Sequence, residues 1–155
     1  MKIYIFNTLF SNNYAKSSTN FGGGAIYAQL IDGDKQIINC TFKNNRASAG
    51  GAILIQQSRG ILNIENSTFI ENTATGSERY GGGAIALVGE TYSASGYASS
   101  IKNSIFYNNS YLQSYGYGGA AVFTRHVNLN LTNSILAFNH DEAYNKTVYK
   151  FIGGT

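Results

Sequence analysis

Residues 39–57 decide the fold: Asn39-Cys40-Thr41-Phe42-Lys43-Asn44-Asn45-Arg46-Ala47-Ser48-Ala49-Gly50-Gly51-Ala52-Ile53-Leu54-Ile55-Gln56-Gln57. Two blocks lie inside this stretch, and both recur along the chain. The first opens on Asn and carries Phe-x-x-Asn. It occupies Asn7 to Asn13, Asn39 to Asn45, Asn66 to Asn72 and Asn103 to Asn109. A fifth copy, Asn133 to Asn139, has Leu136 in place of Phe. The second block is Gly-Gly-Ala-Ile. It appears at Gly23 to Ile26, Gly50 to Ile53 and Gly82 to Ile85, and as Gly118-Gly119-Ala120-Ala121-Val122. The Asn blocks start at 7, 39, 66, 103 and 133, so successive copies lie 32, 27, 37 and 30 residues apart. Constant blocks with variable spacers are the mark of a structural repeat whose insertions fall in loops.

Each repeat carries two short strand patterns. After the glycines come alternating runs such as Ile26-Tyr27-Ala28-Gln29 and Ile53-Leu54-Ile55-Gln56. Before each Asn comes another, such as Ile3-Tyr4-Ile5 and Leu62-Asn63-Ile64. Period-two alternation predicts strands with one buried face. Spacers such as Ala74 to Tyr80 and Thr91 to Ser100 are rich in Ser, Thr, Gly and Tyr, and read as loops.

No repeat of this length buries its apolar face alone, so the repeats must stack. Stacked strands lie about 4.8 Å apart. The expected result is an all-β, right-handed parallel β-helix of about four to five coils. Ile26, Ile53, Ile85 and Val122 would form an inward aliphatic ladder. Phe42, Phe69 and Phe106 would form an aromatic stack, begun by Phe10 and ended by Leu136. Asn39, Asn66, Asn103 and Asn133, with Asn7, would form a buried asparagine ladder at a bend. The paired glycines would supply positive φ and close approach between coils. Ala52 would sit beside a tight turn and Leu54 on the open outer face, so a Tyr should be worse tolerated at 52 than at 54.

Composition agrees. Of 155 residues, 18 are Gly, 18 are Asn, and none is Pro or Trp. Pro would remove a donor from strands that bond on both sides. Charged residues make up only 12%, which fits stacked positions where like charges would repel. The same numbers exclude other classes. Aromatics at 14% argue against disorder. One cysteine cannot build a disulfide scaffold. Apolar runs fall well short of the roughly 18 residues of a membrane-spanning helix. The net charge of +3 comes from scattered Lys and Arg, without the basic stripe of a nucleic-acid binder.

The alternation of Gly-Gly-Ala-Ile with Phe-x-x-Asn resembles the repeats of the polymorphic outer-membrane protein family. It is similar more widely to adhesin-like and pectate-lyase-like right-handed β-helices. The resemblance spans roughly residues 3 to 140. It implies an autotransporter-style passenger shown on an outer membrane or cell wall. The barrel that would anchor such a passenger has no counterpart in these residues. Residues 1–155 read as one β-helix domain. The chain opens in mid-coil at Met1 to Phe6, and Phe151 to Thr155 looks like the start of another Gly block. Neither end carries the polar cap that a solenoid needs. The expectation is a piece of a longer repeat protein, its partners including further coils of that parent.

Catalytic chemistry finds little support. A lyase on this scaffold needs clustered carboxylates for calcium and a basic residue nearby. Asp32, Asp34, Glu65, Glu71, Glu78, Glu90, Asp141 and Glu142 share no repeat position. His126 and His140 have no companion ligands in the sequence, so no metal and no cofactor is expected. Cys40 stands where Ser67, Ser104 and Ser134 stand in other copies, and reads as a small structural residue. Sequons at Asn39, Asn66, Asn108, Asn130 and Asn145 read mainly as by-products of the repeat, with only Asn145 expected to be freely exposed.

The candidate ligand contacts are the spacer tyrosines Tyr80, Tyr92, Tyr97, Tyr111, Tyr115 and Tyr117, together with Phe123. Tyr in Gly/Ser-rich loops offers contact area at low entropy cost. The bland alternative is that these rings shield the outer strand faces. The expected function is a non-catalytic, adhesin-like segment at the cell surface, binding a surface protein or a glycan. Nucleic acid and membrane insertion are not expected. The alternative is a degenerate carbohydrate-active β-helix, with a groove over Tyr27, Leu54 and Phe123.

Overall fold

The computed structural model describes residues 1–16, 21–76, 81–89, 97–114, 116–142 and 145–151. Among them every regular element is a strand and every strand pair is parallel. Among the described residues no helix is long and apolar enough to cross a membrane.

The first sheet stacks β1 (Ile3–Phe6), β4 (Lys35–Ile38), β8 (Leu62–Glu65), β13 (Tyr97–Lys102) and β18 (Val127–Thr132), in that order. The phenylalanine sheet stacks β2 (Leu9–Ser11), β5 (Thr41–Lys43), β9 (Thr68–Ile70), β14 (Ile105–Tyr107) and β19 (Ile135–Ala137). A short sheet follows: β6 (Arg46–Ala47), β10 (Thr73–Ala74), β15 (Ser110–Tyr111) and β20 (His140–Asp141). Then comes the glycine pair β11 (Gly81–Gly82) and β16 (Gly118–Gly119). The isoleucine sheet closes each coil with β3 (Ile26–Gln29), β7 (Ile53–Gln56), β12 (Ile85–Val88), β17 (Val122–Arg125) and β21 (Val148–Phe151). The chain is a parallel β-helix of about four turns, as the repeat spacing requires.

The inward positions carry the core. Ile26, Ile53, Ile85 and Val122 are partners in register and form the aliphatic ladder expected of them. Ile37, Ile64 and Ile101 do the same from the first sheet, all buried. Phe10, Phe42, Phe69 and Phe106 stack with ring centroids 4.8, 4.8 and 4.7 Å apart and planes within 6°. Isolated ring pairs prefer offset or edge-on geometry. Here the strand spacing sets the distance, and the backbone register imposes the near-parallel stack.

Several readings change. The asparagine ladder is built by the last residue of Phe-x-x-Asn, not by the Asn that opens the block. Asn45, Asn72 and Asn109 are fully buried. Asn72 donates its backbone N–H (3.0 Å) and its Nδ2 (2.9 Å) to Asn109 Oδ1. Its Nδ2 also donates to the Phe42 carbonyl at 2.9 Å. The pattern repeats from Asn13 through Asn45, Asn72 and Asn109 to Asn139. By contrast Asn7, Asn39, Asn66, Asn103 and Asn133 are exposed and hold φ of 50°, 55°, 48°, 50° and 48°. They turn the corner between the first and phenylalanine sheets in the left-handed region, which Asn visits at lower cost than most side chains. The sequons at Asn39 and Asn66 are therefore exposed.

The block glycines, second, serve close approach alone. Among the described glycines, positive φ occurs at Gly60 and Gly116. A Cβ on Gly50 would lie 1.9 Å from the Ile53 carbonyl oxygen, and one on Gly51 would lie 1.8 Å from that of Gly83 in the next coil. Third, Leu54 is buried (1% exposed), as is Ala52. Leu54 joins Ala49, Ala86, Val88 and Phe123 in a second apolar cluster on the other face of the isoleucine sheet. The contrast expected between positions 52 and 54 therefore has no basis. Fourth, residues 97–100, read as loop, extend β13, because it pairs with β18 over six residues. Phe151 pairs with Arg125 at the end of the isoleucine sheet, so it does not open a Gly block; residues 152–155 lie outside the described residues.

Candidate adhesive surface

Among the described residues the solenoid interior is filled by stacked side chains. A hydroxyl column closes one corner. The Cys40, Ser67 and Ser104 backbone N–H groups donate to Ser67, Ser104 and Ser134 Oγ at 3.1, 3.2 and 3.1 Å. Each of those hydroxyls donates in turn to a carbonyl two residues back. The Cys40 thiol is buried in the same column and lies 3.3 Å from the Ile38 carbonyl. It is packed as the small residue the alignment predicts.

Lys35 is an interior group that sequence reasoning overlooked. It is 2% exposed and pairs in register with Leu62. Its three ammonium protons match three carbonyls: Ile31 (3.0 Å), Gly33 (2.7 Å) and Arg59 (2.9 Å). Desolvation lowers its pKa, opposed by the nearby Asp34 and Asp32 carboxylates. The signal was available, since Lys35 occupies an inward parity position of Lys35-Gln36-Ile37-Ile38. A cavity of about 20 Å³ adjoins it, lined in part by Ile55, Ser58, Leu62 and Leu87. That volume suits a water molecule and nothing larger.

On the outside, the predicted contacts part company. Tyr111 lies on β15 and is fully buried. It takes the position that Ala47 and Ala74 hold in the preceding coils. Its ring fits because Gly81 and Gly118 flank it: a Cβ on either would fall within about 2 Å of the ring. Phe123 is also fully buried, in the second cluster, with Tyr149 stacked at 6.0 Å. Neither ring offers surface to a ligand. Tyr117 does, at 40% exposure, tilted against Tyr149, whose ring the Lys146 ammonium caps at 4.3 Å. Tyr97 pairs with Val127 through its backbone. Tyr80, Tyr92 and Tyr115 lie outside the described residues.

On the outer face of the isoleucine sheet, Tyr27 is 44% exposed, whereas Leu54, Ala86 and Phe123 of the same column are buried. Its hydroxyl is shared between Gln29 Oε1 (2.8 Å) and Gln56 Oε1 (3.2 Å). Gln29 Nε2 donates to Gln57 Oε1 at 3.2 Å. Burial pushes the Tyr27 phenol pKa up. Among the described residues, no group of three or more His, Cys, Asp or Glu side chains is placed to hold a metal ion.

The model of the Chlamydia polymorphic membrane protein repeat matches residues 7–29 and 39–56. At these two spans the chain carries repeats of polymorphic-membrane-protein type. Each matched span holds one Phe-x-x-Asn block, and each ends with a strand of the isoleucine sheet. The blocks Asn66 to Asn72 and Asn103 to Asn109, and the strands Ile85–Val88 and Val122–Arg125, stand in strand register with those of the second matched span. No curated protein and no solved structure matches the chain.

Proposed function

We propose that this chain is a segment of a cell-surface, adhesin-like β-helix that acts by presenting its outer faces and spacers to a partner, without chemistry of its own. The supporting observation is how the recurrent residues are spent. The inner asparagines, the hydroxyl column, the phenylalanine stack and the glycines all bind coil to coil. The spacers between these columns differ most from copy to copy, and insertions of that kind often form the binding face of repeat scaffolds. Polymorphic-membrane-protein repeats support display at an outer membrane as part of a longer protein.

Adhesion to cultured cells tests the reading. Microspheres coated with the folded chain should bind in excess of microspheres coated with the same chain after heat unfolding. Equal binding by both would contradict it. So would lyase activity on uronic-acid polymers that is lost on changing a single acid.

A further inference from the structure

The geometry points to a saccharide site at Tyr27, Gln29, Gln56, Gln57 and Leu30, taking a neutral, hydroxyl-rich sugar. The inference rests on the adhesin reading and names the ligand class for one of its faces.

The first argument is order. An exposed tyrosine on a strand ordinarily samples several rotamers at little cost. The single Tyr27 O–H is shared instead between the side-chain carbonyls of Gln29, on its own strand, and Gln56, on the next. Gln29 is tied in turn to Gln57 on the corner of the next coil. A polar network that fixes an aromatic ring at the surface is preorganised, so less entropy is lost when a ligand stacks on it.

The second argument is unspent hydrogen-bonding capacity. Gln56 Nε2 and Gln57 Nε2 donate to no other described residue. Gln56 is 8% exposed as a whole residue. The cluster offers amide N–H donors and carbonyl acceptors around an apolar ring face. That combination suits a pyranose, with its C–H face against the ring and its hydroxyls at the amides.

The third argument is an apolar neighbour. Leu30 follows Gln29 directly and is 66% exposed. Its φ of 55° is the corner angle that Gln57 and His126 repeat in later coils.

Charge sets the class. None of the five side chains is ionised at neutral pH. The column that runs through Gln29 and Gln56 reaches a cation at Arg125, two coils beyond Gln56, or roughly 10 Å at the strand spacing. A uronate or sulfated sugar would find no counter-charge within the cluster, whereas a neutral one needs none.

The test is titration of the ¹⁵N-labelled chain with maltohexaose, cellohexaose, mannohexaose and, as the anionic control, hexagalacturonate. At least one neutral oligomer should shift the side-chain amide signals of Gln29, Gln56 and Gln57, and hexagalacturonate should not. Tyr27→Ala should weaken binding at least tenfold. Tyr27→Phe, which keeps the ring, should weaken it less. Melting of both variants checks that the fold persists. The site is overturned if no neutral oligomer at millimolar concentration moves these signals, if Tyr27→Ala binds like the parent, or if the uronate binds as well. Microsphere adhesion separates the two claims. Adhesion unchanged by Tyr27→Ala in a chain that binds no sugar refutes the site and spares the adhesin reading. Sugar binding at Tyr27 without adhesion does the reverse.

Discussion

Two columns of asparagine run the length of this solenoid, and they do opposite work. Asn13, Asn45, Asn72, Asn109 and Asn139 turn inward, and their amides bond coil to coil. Asn7, Asn39, Asn66, Asn103 and Asn133 sit exposed at a corner and are chosen for a backbone angle. The side-chain bonds of this outer column are incidental: Asn39 Nδ2 reaches Asn7 Oδ1 at 3.2 Å in solvent. One residue type recurring at one spacing thus reports two unrelated physical demands. The inner column satisfies buried polar groups, where failure is expensive. The outer column lowers the cost of left-handed φ, where failure is mild.

Mutations can break or sharpen this contrast. The largest effect is expected for Asn72→Ala. It deletes two donated bonds, to Phe42 and Asn109, and two accepted from Asn45 N and Nδ2, all buried. At about 1 kcal/mol each, urea unfolding should show a loss of about 4 kcal/mol. A loss under about 1 kcal/mol would erase the distinction between the columns.

Lys35→Ala extends the inner logic to a charged group. It strands the carbonyls of Ile31, Gly33 and Arg59, a loss of about 3 kcal/mol near pH 7. The pH dependence has a definite sign. The folded pKa lies below the ordinary lysine value of 10.5. Between the two, the unfolded chain binds more protons, so the Lys35 contribution to stability rises with pH. Urea melts should show the parent gaining on the variant as pH climbs toward 10.5, and the gain disappearing as pH falls below the folded pKa. A constant gap would mean the ammonium is not desolvated as its burial implies.

At the outer column the effects should be small. Asn66→Ala should cost about 1 kcal/mol, since alanine tolerates φ of 48° poorly. Asn66→Gly should stay within about 0.5 kcal/mol of the parent, because glycine accepts that angle freely. Thermal melts of the pair check both, and a Gly variant as damaged as the Ala variant would show that the Asn66 amide matters after all.

The contrast also explains what could be read in advance. Coil spacing, the phenylalanine stack and the Ile26–Ile53–Ile85–Val122 ladder were legible, because stacking puts like residues on like. The asparagine columns were not, since both recur in all five copies. Period-two counting fails at each left-handed residue. Asn44 has φ of 53°, so Asn45 points inward although simple alternation from Phe42 puts it outside. A hint was present: the position before the inner Asn varies (Asn12, Asn44, Glu71, Asn108, Phe138) while the inner Asn does not.

The outer surface was least legible. Tyr111 was read as a spacer residue, yet it fills an alanine column that Gly81 and Gly118 widen. Phe123 and Leu54 were placed outside correctly by parity but are buried in a second cluster. The spacers do not repeat, so no stacking rule orders them. The Tyr27–glutamine network was similarly hidden, because Tyr27 and Gln56 lie 29 residues apart and meet only through the coil.

The most direct test of the account is hydrogen exchange at the asparagine side-chain amides, followed by ¹⁵N NMR in D₂O. The Nδ2 protons of Asn45, Asn72 and Asn109 should exchange orders of magnitude more slowly than those of Asn39, Asn66 and Asn103, because only the former are bonded inside the solenoid. Equal, fast exchange of all six amides, or protection of the outer three alone, would contradict the stacked-coil assignment.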